Sequence, residues 1–225
     1  MEQENKYYVV IIGDIVGSWK ITNRNGIQCT LKKVLGKINE AYDKDIASNF
    51  MLTLGDEFQG VLVNGAVALP IIGQIEQEML PTKIRFGLGI GRIVTAIDKN
   101  LPLGSDGPAY RNAKDMVDAI KGLEKKREKA IPSLLIKSEE DFASYDALMN
   151  NILLCCKVLK ERWNSHQRKV IACFEEQGSQ QAAAVQLGIN QSSVSKSLSS
   201  SNYYLYRESL GNVSLRLEKI VDGLG

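Results

Sequence analysis

Apolar and polar positions switch repeatedly between two periods along the first 140 residues. Residues 7–13 (YYVVIIG) are a short β-branched run, long enough for a strand and too short for a helix. Across 27–42, Ile27, Leu31, Val34, Leu35, Ile38 and Tyr42 recur at helical spacing. Residues 49–54 and 58–63 read as two strands around the polar break Gly55-Asp56-Glu57. The helical period returns at 65–80, with Pro70 tolerable in the first turn. Residues 83–93 (KIRFGLGIGRI) alternate again and predict a strand. This βαββαβ succession predicts an α+β, ferredoxin-like domain, its antiparallel sheet carrying both helices on one face. A third helix at 108–123 opens on Pro108 and runs into the charged, solvated end GLEKKREK. A last strand at 133–137 closes a first domain of residues 1–140.

Residues 141–163 predict a connecting helix. Its stripe of Tyr145, Leu148, Met149, Ile152, Cys156, Leu159 and Trp163 needs cover, from the first domain or from a dimer partner. Residues 164–225 predict an all-α domain. A helix at 166–178 puts Val170, Ile171 and Phe174 on one face and leaves His166 at its surface-exposed start. In QQAAAVQLGINQSSVSKSLSS, with Gln180 first, Ala184 is fifth, Gly188 ninth and Val194 fifteenth. A small residue lets two helices cross closely, glycine permits a sharp turn, and Val194 with Leu198 seats the second helix. This spacing resembles the helix-turn-helix family. Its second helix, capped by Asn190, would turn Gln191, Ser192, Ser195, Lys196 and Ser199 outward. Such side chains suit base-edge and phosphate contacts with DNA. The alternatives are a serine-rich face on a packing helix and a protein-interaction module. A final helix at 203–224, with Leu205, Leu210, Val213, Leu217 and Ile220, would brace this module or pair across a homodimer.

Composition removes several classes. With 44% hydrophobic and 24% charged residues, the chain is an ordinary soluble one. Its 28 basic and 26 acidic residues give no global pull toward nucleic acid or membrane. The net excess of +2 falls wholly from Lys160 onward, mild support for a DNA partner there. No stretch approaches the roughly 18 apolar residues of a membrane span. The start MEQENK lacks the basic region of a signal peptide. Cys29, Cys155, Cys156 and Cys173 show no metal spacing and read as free thiols in a reducing compartment. A cytoplasmic protein with no membrane partner is expected.

Two aspartates carry the candidate chemistry. Asp14 ends the first strand in GDIVGS, and Asp56 sits on the turn LGDEFQG. In a ferredoxin-like sheet the first and third strands are neighbours, so the two carboxylates meet at one edge. They repel unless a cation lies between them, and Mg²⁺ or Mn²⁺ favours carboxylates plus substrate phosphates. Gly17 and Ser18 follow where bare backbone N–H groups can cradle phosphate oxygens. Each feature alone is common turn chemistry; together they point to a metal–nucleotide site.

The segments VVIIGDIVGS, TLGDEFQGVL, IRFGLGIGRI and GPAYRNAKD occur in the order seen in class III nucleotidyl cyclases. The LGDEF turn is also similar to the signature hairpin of diguanylate cyclases. This likeness covers about residues 7–137; with its helical tail the whole chain resembles the SatD family of small bacterial proteins. The resemblance implies a palm-like fold, a nucleoside triphosphate ligand, and two metal ions held by Asp14 and Asp56 with help from the Ile15 carbonyl. The sequence also departs from the cyclase pattern. The cyclase helix carries an Asn and, four residues later, an Arg. Here those positions hold Arg111 and Asp115, or in the shifted register Asn112 and Met116. Leu52 replaces the base-reading lysine, and Leu54 replaces the first glycine of the diguanylate cyclase signature. Arg111 would supply the catalytic charge from a different position. Glu57 either joins the metal shell or is solvated, and Lys137 either reaches a triphosphate or is a surface lysine. Phosphoryl transfer depends on positioning and charge stabilisation, so an altered cation weighs against catalysis more than against binding. Three expectations follow. The first is a regulatory protein joining a metal/nucleotide-binding domain to a DNA-binding one. The second is an active two-metal nucleotidyl cyclase or nucleotidyltransferase whose tail serves dimerisation or localisation. The third is a non-catalytic interaction protein.

Overall fold

The computed structural model describes residues 6–18, 23–53, 55–101, 105–126 and 131–224. Leu54, most of the polar start and part of the charged run beyond Lys126 lie outside them. By packing, the chain divides into two compact units, Met1–Asn151 with Val213–Gly225, and Ile152–Asn212. The sequence pattern places its boundaries at 140 and 163 instead, and assigns the last helix wholly to the second domain. Helical periodicity carries no mark of where a continuous helix changes its packing partners.

The first unit contains β1 (Tyr8–Ile15), α1 (Arg24–Ala41), β2 (Ile46–Leu52), β3 (Glu57–Leu62), α2 (Ala68–Glu78), β4 (Ile84–Gly91), α3 (Pro108–Lys126) and β5 (Leu134–Lys137). The strand order is β2-β3-β1-β4-β5. The first four strands are antiparallel, and β5 joins β4 in parallel. The sheet is therefore mixed rather than antiparallel, because α3 acts as a crossover helix between β4 and β5.

Strand alternation sends Tyr8, Val10 and Ile12 to the face covered by Ala109, Tyr110, Ala113 and Val117 of α3. Val9 and Ile11 point the other way and are also fully buried, so β1 is covered on both faces. The helix α1 buries Leu31, Val34, Leu35 and Ile38, and its start is capped by the Asn23 side chain. Glycine sets how closely α3 lies on β4. A Cβ added to Gly87 would lie 2.0 Å from the Ala113 carbonyl oxygen, and one on Gly89 2.0 Å from that of Ala109. Phe86, Leu88 and Ile90, on the opposite face of β4, are fully buried. The alternation GLGIG thus builds a flat bed for a helix on one side and a core on the other.

Both outer strands are closed by an asparagine. The Asn39 side chain accepts from Phe50 N at 2.7 Å and donates to Phe50 O at 2.9 Å on β2. On β5, Asn150 makes the same pair with Ile136 N and O, each at 2.8 Å. Each amide imitates one residue of a further strand and blunts an edge open to pairing with another chain.

Asn150 belongs to α4 (Asp146–Arg162), which follows a 3₁₀ segment at Glu140–Tyr145 rather than starting at 141. Asp146 accepts from the backbone N–H and hydroxyl of Ser138, fixing where the α-helix begins. Burial pushes its carboxyl above the ordinary value against the pull of those hydrogen bonds. The expected stripe is only partly right: Met149, Cys156 and Trp163 are buried, but Leu148 is exposed and Leu153 is buried.

In the second unit follow α5 (Ser165–Gln177), α6 (Gln180–Leu187), α7 (Gln191–Ser200) and the first half of α8 (Tyr203–Val221). Its core is Trp163, Val170, Ile171, Cys173, Ala183, Ala184, Val194, Leu198 and Tyr203. The Trp163 indole N–H donates to the Ser201 carbonyl at 2.8 Å. Burial, helped by the charge of Glu175, pushes the Tyr203 phenol up to about 12. Gly188 ends α6 at φ 65°, a left-handed conformation suited to glycine, so the turn into α7 is tight. Asn190 adopts N-cap backbone geometry at the start of α7, but its side chain makes no capping hydrogen bond. Its carbonyl instead accepts from Ser193 N and Val194 N. Among the described residues, no helix is long and apolar enough to cross a membrane.

Candidate functional site

The C-terminal end of β1, the turn before β3, the start of β4 and the last turns of α3 border an open cleft of about 510 Å³. It is lined by Asp14, Ile15, Gly17, Ser18, Asp56, Arg85, Lys121, Glu124 and Lys125. The two aspartates singled out in the sequence therefore share one cleft. The link is short: Ile15 N donates to the Asp56 carbonyl at 3.2 Å, and the Ser18 hydroxyl donates to the Asp56 carboxylate.

Asp14 is nearly buried and lies opposite Arg85 in the β1–β4 register. Arg85 NH1 is 2.5 Å from Asp14 Oδ2, and Lys121 Nζ is 2.7 Å from Oδ1. Arg85 also grips Glu124, with Nε at 3.0 Å and NH2 at 2.5 Å. Burial would lower the guanidinium pKa, but its bonds to Glu124 and Asp14 prevail and hold it above the ordinary value. Arg85 is thus a fixed positive plane between two carboxylates.

Sequence reasoning missed Arg85, Lys121, Glu124 and Lys125. Arg85 is the single charged residue of IRFGLGIG, and a lone charge in such a strand is a signal in itself. Lys121 and Lys125 continue, in steps of four, the stripe of Ala113 and Val117 that faces the sheet. The end of α3 therefore turns one face to the cleft, where the sequence suggested a solvated helix end.

Arg111, Glu57 and Lys137 do not line the cleft. Arg111 sits ten residues before Lys121 on α3, about 15 Å along the helix axis, and pairs with Asp106 at 3.3 Å. Glu57 pairs with Lys114 at 2.6 Å. Burial lowers the Lys114 pKa, but the Glu57 carboxylate outweighs it and raises the ammonium above its usual range. Lys137 pairs with Asp115 at 2.6 Å. It lies beside Gly89, about 13 Å along the sheet from the level of Arg85.

A family model described as the SatD family matches residues 8–213. The chain belongs to the SatD family. No curated protein matched it in a sequence search. Among solved structures, this SatD-family chain is similar to the guanylyl cyclase domain of the RhoGC fusion protein from the aquatic fungus Blastocladiella emersonii. That match has 18% identity and a TM-score of 0.39, covering 50% of this chain and 74% of that one. A bacterial light-regulated adenylyl cyclase matches at 15% identity and a TM-score of 0.43, covering 59% and 76%. The guanylate cyclase domain of RhGC from Catenaria anguillulae, in complex with GTP, matches at 16% identity and a TM-score of 0.38, covering 50% and 72%.

Could this cleft hold the divalent cation expected from the aspartate pair in the sequence? Asp14, Asp56 and the Ile15 carbonyl are hard oxygen donors of the kind Mg²⁺ and Mn²⁺ prefer. Among the described residues, no three acidic, His or Cys side chains gather around a common point. With both Asp14 oxygens already paired to Arg85 and Lys121, these donors would suit a metal only if most of its ligands were phosphate oxygens and water. In the second unit, Gln191, Ser192, Ser195, Lys196 and Ser199 all lie exposed on α7, while Val194 and Leu198 are buried.

Proposed function

We propose that the cleft of this SatD-family chain binds a nucleoside triphosphate together with Mg²⁺ or Mn²⁺, as the ligand-sensing part of a regulatory protein. One observation carries the reading: two aspartates and three cations, Arg85, Lys121 and Lys125, line the same cleft. Asp14 and Asp56 would hold the metal, which when bound neutralises phosphate charge. Gly17 and Ser18 sit where the chain leaves β1 and would receive phosphate oxygens. Lys125 is exposed at the cleft rim and would meet the outer phosphates. Arg111 lies outside this cleft, so the reading is binding rather than cyclisation.

The test is calorimetric titration of ATP and GTP with Mg²⁺ into the full chain, followed by product analysis. Metal-dependent binding is expected, falling at least roughly tenfold in Asp14→Asn and in Asp56→Asn. Binding that ignores both substitutions would remove the reading. Accumulation of a cyclic or linear nucleotide product would make the chain an active cyclase or nucleotidyltransferase instead.

A second reading concerns the α5–α7 helices, from the tight Gly188 turn and the outward row from Gln191 to Ser199. In it, α7 enters a DNA groove, with Gln191 and Ser192 at the leading end of the helix. Affinity for duplex DNA should then fall with salt, and Lys196→Ala should reduce the salt slope by about one. Gln191→Ala should relax sequence preference. DNA binding indifferent to both changes, or none at low salt, would leave α7 as a packing or protein-contact surface. Homodimerisation belongs to this reading, because paired half-sites call for two copies.

A further inference from the structure

Both carboxylate oxygens of Asp14 are engaged by cations, Oδ1 by Lys121 at 2.7 Å and Oδ2 by Arg85 at 2.5 Å. The two cations differ in how firmly they are held. The Arg85 side chain is 12% exposed and its other nitrogens are tied to Glu124. The Lys121 side chain is 34% exposed and reaches Asp14 on a flexible stem from the penultimate turn of α3. Arg85 is therefore part of the frame, and Lys121 is the movable partner.

Charge balance adds a second constraint. Three carboxylates (Asp14, Asp56, Glu124) face three cations (Arg85, Lys121, Lys125) across the cleft. A bare divalent cation arriving at Asp14 must displace Lys121 and would leave the set with two uncompensated positive charges. A polyphosphate removes both obstacles, because its oxygens accept hydrogen bonds from the released ammonium and its charge offsets the metal.

Resting on the metal–nucleotide reading of the cleft, we propose that Lys121 is a built-in counter-ion of Asp14. It keeps bare divalent cations out, so that metal enters only with a polyphosphate that takes over the lysine. Metal and nucleotide then strengthen each other reciprocally. The chain responds to the metal–nucleotide complex and ignores free Mg²⁺, a property Asp14 and Asp56 alone would not give it. Arg85 stays in place throughout and keeps the carboxylate aimed into the cleft.

The decisive measurement is Mn²⁺ binding to the full chain without phosphate, followed by equilibrium dialysis. Lys121→Met should bind Mn²⁺ roughly tenfold more tightly than wild type, the weight of one lost charge-assisted competitor. Lys121→Arg, which keeps a cation, should behave as wild type. Circular dichroism checks folding, and Lys121→Gln takes the place of the methionine variant if that one unfolds. Equal Mn²⁺ affinity in wild type and the neutral variant overturns the proposal. A non-hydrolysable triphosphate analogue is then added. It should tighten Mn²⁺ retention in wild type more than in Lys121→Met, and equal tightening overturns the coupling. Failure of the analogue to bind at all sinks the nucleotide reading instead, while the phosphate-free comparison still decides the counter-ion role.

Discussion

Replacing Arg85 with methionine is expected to lower the unfolding free energy by about 3 kcal/mol, read as a shifted midpoint in urea denaturation. The guanidinium holds Asp14 at 2.5 Å and Glu124 through two further bonds, with only 12% of the side chain exposed. Removing it leaves a nearly buried Asp14 with Lys121 alone and Glu124 with neither of those bonds. The Coulomb attraction of the pair matters less than the desolvated charge left behind, which is why deleting one partner costs more than deleting both. The double variant Arg85→Met/Asp14→Asn should recover part of the loss, and a double-mutant cycle isolates the coupling. If Arg85→Met unfolds at the wild-type midpoint, the triad is a solvated surface cluster and the rigid frame argued for the cleft is wrong.

A comparable loss, roughly 3 kcal/mol or more, is expected from a single methyl group at Gly89. In Gly89→Ala the new Cβ would stand 2.0 Å from the Ala109 carbonyl oxygen and 2.3 Å from Ala113 N. Both are backbone atoms, so no side-chain rotation relieves the clash, and α3 must lift from β4. Lys121 and Glu124 ride on that helix, so the same change should also loosen the cleft and weaken nucleotide binding. Gly73 in α2 is the control, because a Cβ there meets nothing within 4 Å. Gly73→Ala should stabilise by about 0.5–1 kcal/mol through helix propensity. Opposite signs for one substitution at two glycines, measured by thermal or urea unfolding, would establish that close packing rather than backbone freedom governs Gly89. Equal signs would refute it.

Much of the first unit was legible in advance. β-branched runs and helical spacing located β1, α1, α2, β4 and α3 within a few residues, because one-sided burial imposes periods that survive in sequence. The adjacency of β1 and β3 followed from the element order, and with it the meeting of Asp14 and Asp56. The two edge-capping asparagines were not legible. Asn39 and Asn150 sit inside ordinary helical patterns, and nothing local says that their amides complete β2 and β5. Leu148 and Leu153 exchanged places for a similar reason: a helix face is chosen by what packs on it, and the stripe alone allowed either.

By itself, then, the sequence determined the element order, the aspartate pair at one sheet edge and membership of a family whose pattern spans residues 8–213. Those features are written in local period and in motif, which each segment carries alone. Tertiary structure alone decided what surrounds Asp14. Arg85 lies 71 residues away in the chain and arrives through antiparallel register. Lys121 and Glu124 arrive because glycines on β4 let α3 lie flat, with its later turns over the cleft and Arg111 at the far end. A lone charge in β4 and a stripe continued along α3 hint at these cations, but register and helix direction alone bring them to Asp14, so their pairing became visible only once the chain was folded.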